Sequence, residues 1–436
     1  MNRTDKWQGA SGAWQRTQRK GPVLLLAAIL IAISPFIAQA KIYIDITAPQ
    51  ARMMPIAIYD FQGQGGREMA EVIREDLIFT GLFMYIDKAS YIEAADQPCN
   101  PANWTPLGIE AVVKGAVAGD KKITASVSLY DPFENREILS KQYQSDKDLL
   151  RQLGHSIAND IYTALTGAAG IFRTRIVFVG EQGGERDLYL MDWDGHRSRK
   201  LGLKSGVILT PHWSADGSKL LYAAERGRQW NIYLLDFLQM SEKRVFTSRG
   251  VNMAGDFFPN GKAFAFSSSK DGTPDIYTFS LENNTAKKIT ATHGIEVSPA
   301  VSPDGSRIAF VSDRGGTPQV YLMRSDGTEV RRLTFEGTYN TSPGWSPSGD
   351  RVVFASRRGG GKNQICIVKP DGSDLMQLTD QGNNEDPSFS PDGRYIAFMS
   401  DRDRQKGIYI MRANGESQKR ITPRDLKAFG PRWSPQ

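Results

Sequence analysis

Two cysteines and four histidines in 436 residues leave little material for a disulfide framework or a metal centre. Cys99 and Cys366 lie far apart in separate predicted domains. An oxidising compartment would permit a bridge, but Cys366 takes a repeat position that otherwise holds tyrosine, so both are expected to be free thiols. His155, His196, His212 and His293 fall in a helix, a turn, a strand start and a loop, without the spacing of zinc ligands. The chain contains no glycine-x-serine-x-glycine, which removes the nucleophile elbow of an α/β-hydrolase. Its apolar run Val23–Ile33 is only eleven residues long and is stopped by Ser34-Pro35, short of the roughly 18 residues that a membrane span requires.

That run has another use. Arg3, Lys6, Arg16, Arg19 and Lys20 precede it and the small-x-small sequence Ala38-Gln39-Ala40 follows, so residues 1–40 read as a secretory signal cut after Ala40. The leader carries a net charge of +4 out of a formal +6, leaving about +2 for residues 41–436. So balanced a mature chain lacks the basic face of a nucleic-acid binder, and no nucleic acid is expected as a partner.

What the sequence does have is a repeat. From about residue 173 a pattern recurs every 44 residues. Trp213, Phe257, Val301, Trp345, Phe389 and Trp433 form one series and Phe178, Tyr222, Phe266, Phe310, Phe354 and Phe398 a second. A third runs Tyr189, Tyr233, Tyr277, Tyr321, Cys366 and Tyr409, displaced by one residue where Gly359-Gly360-Gly361 lengthens a loop. Each unit holds four short apolar runs separated by turn chemistry such as Ser302-Pro303-Asp304-Gly305, in which proline presets φ, aspartate bonds its own backbone and glycine accepts positive φ. Four strands per 44 residues is the size of a propeller blade. The second, third and fourth runs occur six times, whereas the first occurs five times between strands and once more at the C-terminus, as Pro431-Arg432-Trp433-Ser434-Pro435. The last residues are therefore expected to complete the blade that begins at Ile176, which removes an open sheet edge.

Between residues 41 and 170 the repeat is absent. Strands are predicted over 56–61, 82–87, 109–117, 123–130 and 137–143, with a helix over 67–80 and a second helix from about Lys147, capped by Ser145 or Asp146 and ended by Gly167. The expected fold class is thus an α/β N-terminal domain followed by an all-β six-bladed propeller closed by the C-terminal strand. Its divisions are a signal peptide at 1–40, the α/β domain at 41–170 and the propeller at 171–436.

The junction L-T-G-A-A-G-I-F-R-T-R-I-V-F-V from Leu165 to Val179, six blades of the S-P-D-G type and the terminal W-S-P together resemble the TolB family, periplasmic propeller proteins of the Tol-Pal system. The blade motif alone is common to many propellers; the junction followed by six blades is more specific. The resemblance implies a non-enzymatic adaptor in the periplasm. It would bind the lipoprotein Pal through the propeller and the C-terminal domain of TolA through the mature N-terminus, Lys41-Ile42-Tyr43-Ile44-Asp45-Ile46. That segment alternates polar with β-branched or aromatic residues, so it could be an ordinary first strand or could add to a partner's sheet edge. Other outer-membrane proteins are left open as partners, the expected state is a monomer, and the expected role is outer-membrane integrity and envelope constriction during division.

In a meander the loop between the second and third strands shares a face with the interblade loop, and the S-P-D-G turns take the opposite face. Binding is expected on the longer, more varied loops. The interblade loops feed the strands nearest the axis, which nominates Asn252, Met253, Glu296, Val297, Asn340, Thr341, Glu385 and Asp386 at the channel mouth as contacts for Pal, against the alternative that several only order their own loops. Arg314, Arg357 and Arg402 could pair with nearby acids. The competing class is an enzyme, either a propeller hydrolase or a channel-mouth enzyme whose divalent cation is held by Glu296, Asn340, Glu385 and Asp386. No cofactor is expected, with a channel-bound calcium ion left open.

Overall fold

A computed structural model describes residues 52–203 and 206–436. The expected signal peptide with its cleavage site at Ala40, and the segment Lys41–Ile46, lie outside the described residues.

The first described region is one sheet with helices on it. In chain order it runs β1 (Met54–Ile58), α1 (Gly66–Phe79), β2 (Phe83–Tyr85), the short α2 (Pro101–Trp104), β3 (Ala111–Gly119), β4 (Lys122–Asp131), β5 (Arg136–Asp146) and α3 (Leu150–Thr166). The sheet order is β2-β1-β3-β4-β5, parallel across the first three strands and antiparallel across the rest. The buried stripe of α1, Met69, Val72, Ile73 and Leu77, meets that of α3, Leu153, Ile157, Ile161 and Leu165. The two helices approach closely at Gly154, where an added Cβ would lie 3.0 Å from Val72 Cγ1. Helix α3 ends as expected on Gly167, at φ 75°, whose N–H reaches Thr163 O.

Its start differs from expectation. Ser145 and Asp146 do not cap it, because antiparallel pairing with Ile123 and Lys122 keeps both in β5. A 3-10 turn over Lys147–Leu149 leads into the helix instead.

The rest of the chain forms six four-stranded antiparallel sheets. Blade one takes its innermost strand, Lys427–Trp433, from the C-terminus, which pairs with Arg175–Gln182 in the register Trp433↔Ile176 and Lys427↔Glu181. Trp433 is buried and its Nε1 donates to Thr174 Oγ1 at 2.8 Å, while Ser434 N and Arg175 O close the ladder at 2.8 Å. The innermost strands of blades two to six begin at Val207, Asn252, Glu296, Tyr339 and Asn384.

The period of 44 has a direct structural meaning. It repeats the 11-residue offset that sets the second aromatic series opposite the third, as Phe178↔Tyr189, Tyr222↔Tyr233, Phe266↔Tyr277, Phe310↔Tyr321 and Phe398↔Tyr409. Ring centroids in these pairs stand 5.3–6.0 Å apart, each pair adding about 0.5–1.5 kcal/mol beyond burial. In blade five Phe354 faces Cys366, a buried free thiol whose pKa burial pushes up to about 11; Cys99 is free as well.

The S-P-D-G side is not bare. At blades one and six it carries the α/β region: Phe79 packs on Trp193 at 4.9 Å and Tyr395 at 5.1 Å, and Arg394 Nη1 donates to Tyr162 Oη at 2.7 Å. The deeper lock is polar. His155 of α3, buried, places Nδ1 2.7 Å from Asp76 of α1 and Nε2 3.4 Å from Asp194 in the last turn of blade one, and Arg151 reaches Asp194 at 2.5 Å.

Candidate partner-binding mouth of the propeller

Each innermost strand of the propeller contains a bulge. The register slips between Val297 and Ala300, Thr341 and Gly344, Glu385 and Ser388, and Phe429 and Arg432. Within these slips Thr210, Ser298, Ser342, Asp386 and Gly430 adopt φ between 48° and 54°, each followed by proline. Positive φ is strained for four of the five residues, and non-glycine residues held there cluster at ligand clamps and active sites. Here the bulges turn side chains across the channel: Ser342 Oγ donates to Asp386 Oδ1 of the next blade at 2.9 Å. Farther along the same strands, His212 Nδ1 and Asp256 Oδ1 stand 2.6 Å apart, and Asp256 Oδ2 accepts from Val301 N at 3.1 Å. Although burial alone would raise the Asp256 carboxyl, the charge of His212 holds it below its ordinary range.

Three of the eight nominated mouth residues are not on the surface. Asn252, Glu296 and Asn340 are wholly buried, and their hydrogen bonds say why. Asn252 Nδ2 donates to Trp230 O at 2.8 Å and its Oδ1 accepts from Ser268 Oγ at 2.6 Å. Asn340 Nδ2 donates to Gln319 Oε1 at 2.6 Å and Glu336 O at 2.8 Å. Glu296 accepts from Thr292 Oγ1 at 2.8 Å, from Ser312 Oγ at 3.0 Å and from the guanidinium of Arg314. All three are latches that tie an interblade loop to the adjoining strands, and they correct the expectation that these side chains offer themselves to a partner. The fourth latch, Asn384, bound to Gln364 Oε1 at 2.8 Å, stands 44 residues after Asn340 and was legible from that spacing, although Glu385 and Asp386 drew attention away from it.

Four of the other five surround real space. A cavity of about 590 Å³ at the mouth is lined by Val297, Thr341, Glu385 and Asp386 together with Ile295 and Tyr339. Met253, equivalent in blade three, is half-buried. Glu385 is steadied by Asn363 Nδ2 and Asn383 Nδ2, both at 2.8 Å. Sequence reasoning missed Ile295 and Tyr339, which are 46% and 37% exposed beside the cavity, and gave Arg357 as a partner for nearby acids, whereas its guanidinium lies 4.8 Å from the Tyr339 ring. The signal for Ile295 and Tyr339 was available: they are the apolar or aromatic residues one step before the latches Glu296 and Asn340. Of the recurring arginines, Arg314 does pair with an acid, while Arg402 donates to Ser400 Oγ at 3.0 Å and Gln418 Oε1 at 2.6 Å. A concave, partly aromatic floor with a carboxylate rim on fixed strands is suited to gripping a protruding protein segment. Of the four oxygen donors considered for a cation, Glu296 Oε1 and Asn340 Nδ2 are engaged by the loops, whereas Glu296 Oε2 and Asn340 Oδ1 are buried without a hydrogen-bond partner among the described residues. Among the described residues no group of three or more His, Cys, Asp and Glu side chains is placed to hold a metal ion.

Comparison with known proteins places this geometry. The family model for the TolB beta propeller domain matches residues 162–436, and that for the TolB amino-terminal domain matches residues 42–138. The chain is 36% identical over 202 residues to the Tol-Pal system protein TolB of Bordetella avium, a stretch covering 45% of each chain. It is 34% identical over 188 residues to that of Dechloromonas aromatica, covering 42% of this chain and 44% of the other. The matched stretch thus spans less than half the length of these curated relatives. In structure it is similar to TolB from Acinetobacter baumannii, with a TM-score of 0.80 and 28% identity, covering 88% of this chain and 97% of that one.

Proposed function

The chain belongs to the TolB family, and from that premise we propose that it is a non-enzymatic periplasmic adaptor of the Tol-Pal system. It binds the lipoprotein Pal in the mouth cavity and presents its mature N-terminus, Lys41–Ile46, to TolA, so supporting outer-membrane integrity and envelope constriction during division. The observation that carries this reading is the mouth itself: the bulged inner strands of blades four, five and six, locked from behind by buried latches, hold Val297, Thr341, Tyr339, Glu385 and Asp386 around about 590 Å³ of open space. Such a surface is preorganised, so little ordering free energy is spent when a segment enters it.

Binding at the mouth can alter what the N-terminal segment does only if Pal has different affinities for two placements of that segment, and reciprocity then makes TolA binding change Pal affinity by the same factor. The test is a pair of titrations on the chain beginning at Lys41 and on one lacking Lys41–Ile46. The shortened protein is expected to lose TolA binding while keeping Pal binding and the circular dichroism of the propeller. Full TolA affinity after the deletion would refute the assignment of the segment. Equal TolA affinity with and without saturating Pal would leave it a binding motif without a switch.

A further inference from the structure

The six turns joining the third and fourth strands of the blades can be compared with one another, and one departs from the rest. Each contains a non-glycine residue at positive φ: Arg197, Asn284, Glu329, Asp374 and Ser417 in five blades, and Met240 in blade two. Two residues before it in blades two and three, and three in the longer turns of the other four, blade two has Leu238 where the others carry Glu282, Asp194, Asp326, Asp371 and Asn414. The consequence is that Leu238 and Met240 are 84% and 82% exposed. A turn that five blades build from polar residues, and that here holds two large apolar ones against local preference, is not explained by folding.

The surroundings add shape and charge. Met240 borders a cavity of about 380 Å³ whose apolar wall is Phe237 stacked on Trp213 at 5.4 Å. Arg175 and Arg199 line the same cavity, and neither has an ion pair or a side-chain hydrogen bond among the described residues. The third arginine there, Arg173, is already paired with Asp160 at 2.7 Å. The acid present, Asp216, is engaged by the hydroxyls of Ser214 at 2.6 Å and Ser218 at 2.8 Å. An apolar hollow edged by two unneutralised guanidinium groups is complementary to a segment bearing an apolar side chain flanked by carboxylates, since Arg takes a carboxylate through two parallel N–H donors.

We propose that this corner, on the turn face opposite the mouth, is a second protein-docking surface that takes an acidic, apolar peptide segment of a partner. Concavity favours a peptide over a lipid surface, because Met240 and Phe237 wall a hollow instead of projecting alone. Occupancy here leaves the mouth free, so two partners can be held at once.

The experiment selects a displayed library of random 12-residue peptides on the full mature protein, with the L238D/M240N variant as comparison. Those replacements copy what other blades carry at the same turn, so the variant is expected to fold. Selected peptides should pair Asp or Glu with Leu, Phe or Trp, and should bind the unmodified protein at least tenfold more tightly than L238D/M240N in fluorescence anisotropy. R175E/R199E should lose a similar factor and recover it with peptides in which the acids are changed to lysine. Peptides that do not distinguish the two proteins, or that show no excess of acids, overturn the proposal. Vesicles containing phosphatidylglycerol that sediment the unmodified protein but not L238D/M240N, with no discriminating peptide, would overturn it in favour of a lipid surface.

Discussion

His155 tests how the α/β region is fixed to the propeller. Its ring lies between Asp76 of α1 and Asp194 of blade one, at 2.7 and 3.4 Å, and both His155 and Asp76 are almost inaccessible to solvent. Burial alone would lower the imidazole pKa, but the hydrogen bonds and charges of Asp194 and Asp76 outweigh it and raise the value to about 9. The charged groups facing it are these two acids, Arg151 at 2.5 Å from Asp194, and Glu75 at 3.7 Å from Arg151, with Lys419 and His196 lining the same recess. A histidine whose pKa is raised in the folded state contributes stability that is complete below its unfolded value of about 6.5 and is lost as pH rises through about 9. At about 1.4 kcal/mol per pH unit, the interval corresponds to a loss of up to about 3 kcal/mol. Asp76, raised to about 6 because burial outweighs the pull of His155, changes in the more acidic range and leaves this window to the histidine. Replacing His155 by glutamine removes the cation and strands the buried carboxylate of Asp76, while Asp194 keeps Arg151, a loss of about 3–5 kcal/mol at pH 6.5. Urea unfolding followed by far-ultraviolet circular dichroism at pH 6.5 and 9 reads both effects. The unmodified protein should weaken across the window while H155Q starts lower and stays flat. Parallel pH profiles for the two proteins would show that His155 is neutral in the fold and that the lock is made by packing alone.

Deleting Gly430–Gln436 should unpair Ile176 and Val177 and cause insolubility or a large fall in melting temperature, and Trp433→Ala alone should lose about 3–5 kcal/mol by truncation of a buried indole; an unchanged melt for either would make the C-terminal strand dispensable. Thr341→Arg or Glu385→Arg should weaken Pal binding at least tenfold in isothermal titration calorimetry, with an unaltered circular dichroism spectrum. Asn340→Ala, by contrast, should destabilise by about 1–3 kcal/mol because Gln319 Oε1 and Glu336 O lose their donor, and a variant of full stability with impaired binding would return Asn340 to the contact surface.

The fold was legible because the repeat writes the same physics six times. An 11-residue offset that recurs every 44 puts Phe310 opposite Tyr321, and both spacings are visible in the letters themselves. Counting first strands was enough to send Trp433 back to Ile176, since an unpaired edge is an exposed row of backbone donors and acceptors. The mouth was only half legible, because position along a strand says which loop a residue belongs to and not which way its side chain turns. The bulges decide that. The slips at Ser342 and Asp386 carry Thr341 and the Glu385–Asp386 pair toward the cavity, whereas the residue one step before Thr341, Asn340, turns inward to satisfy a loop carbonyl. A polar residue repeated at the head of four of the six inner strands is therefore better read as the loop's own hydrogen-bond partner, since the repeat that preserves it is also the repeat that preserves the loop. The residues that differ from blade to blade beside it, Val297, Thr341 and Glu385, are free of that duty, and recognition of a partner with no sixfold symmetry has to be carried by positions of that kind.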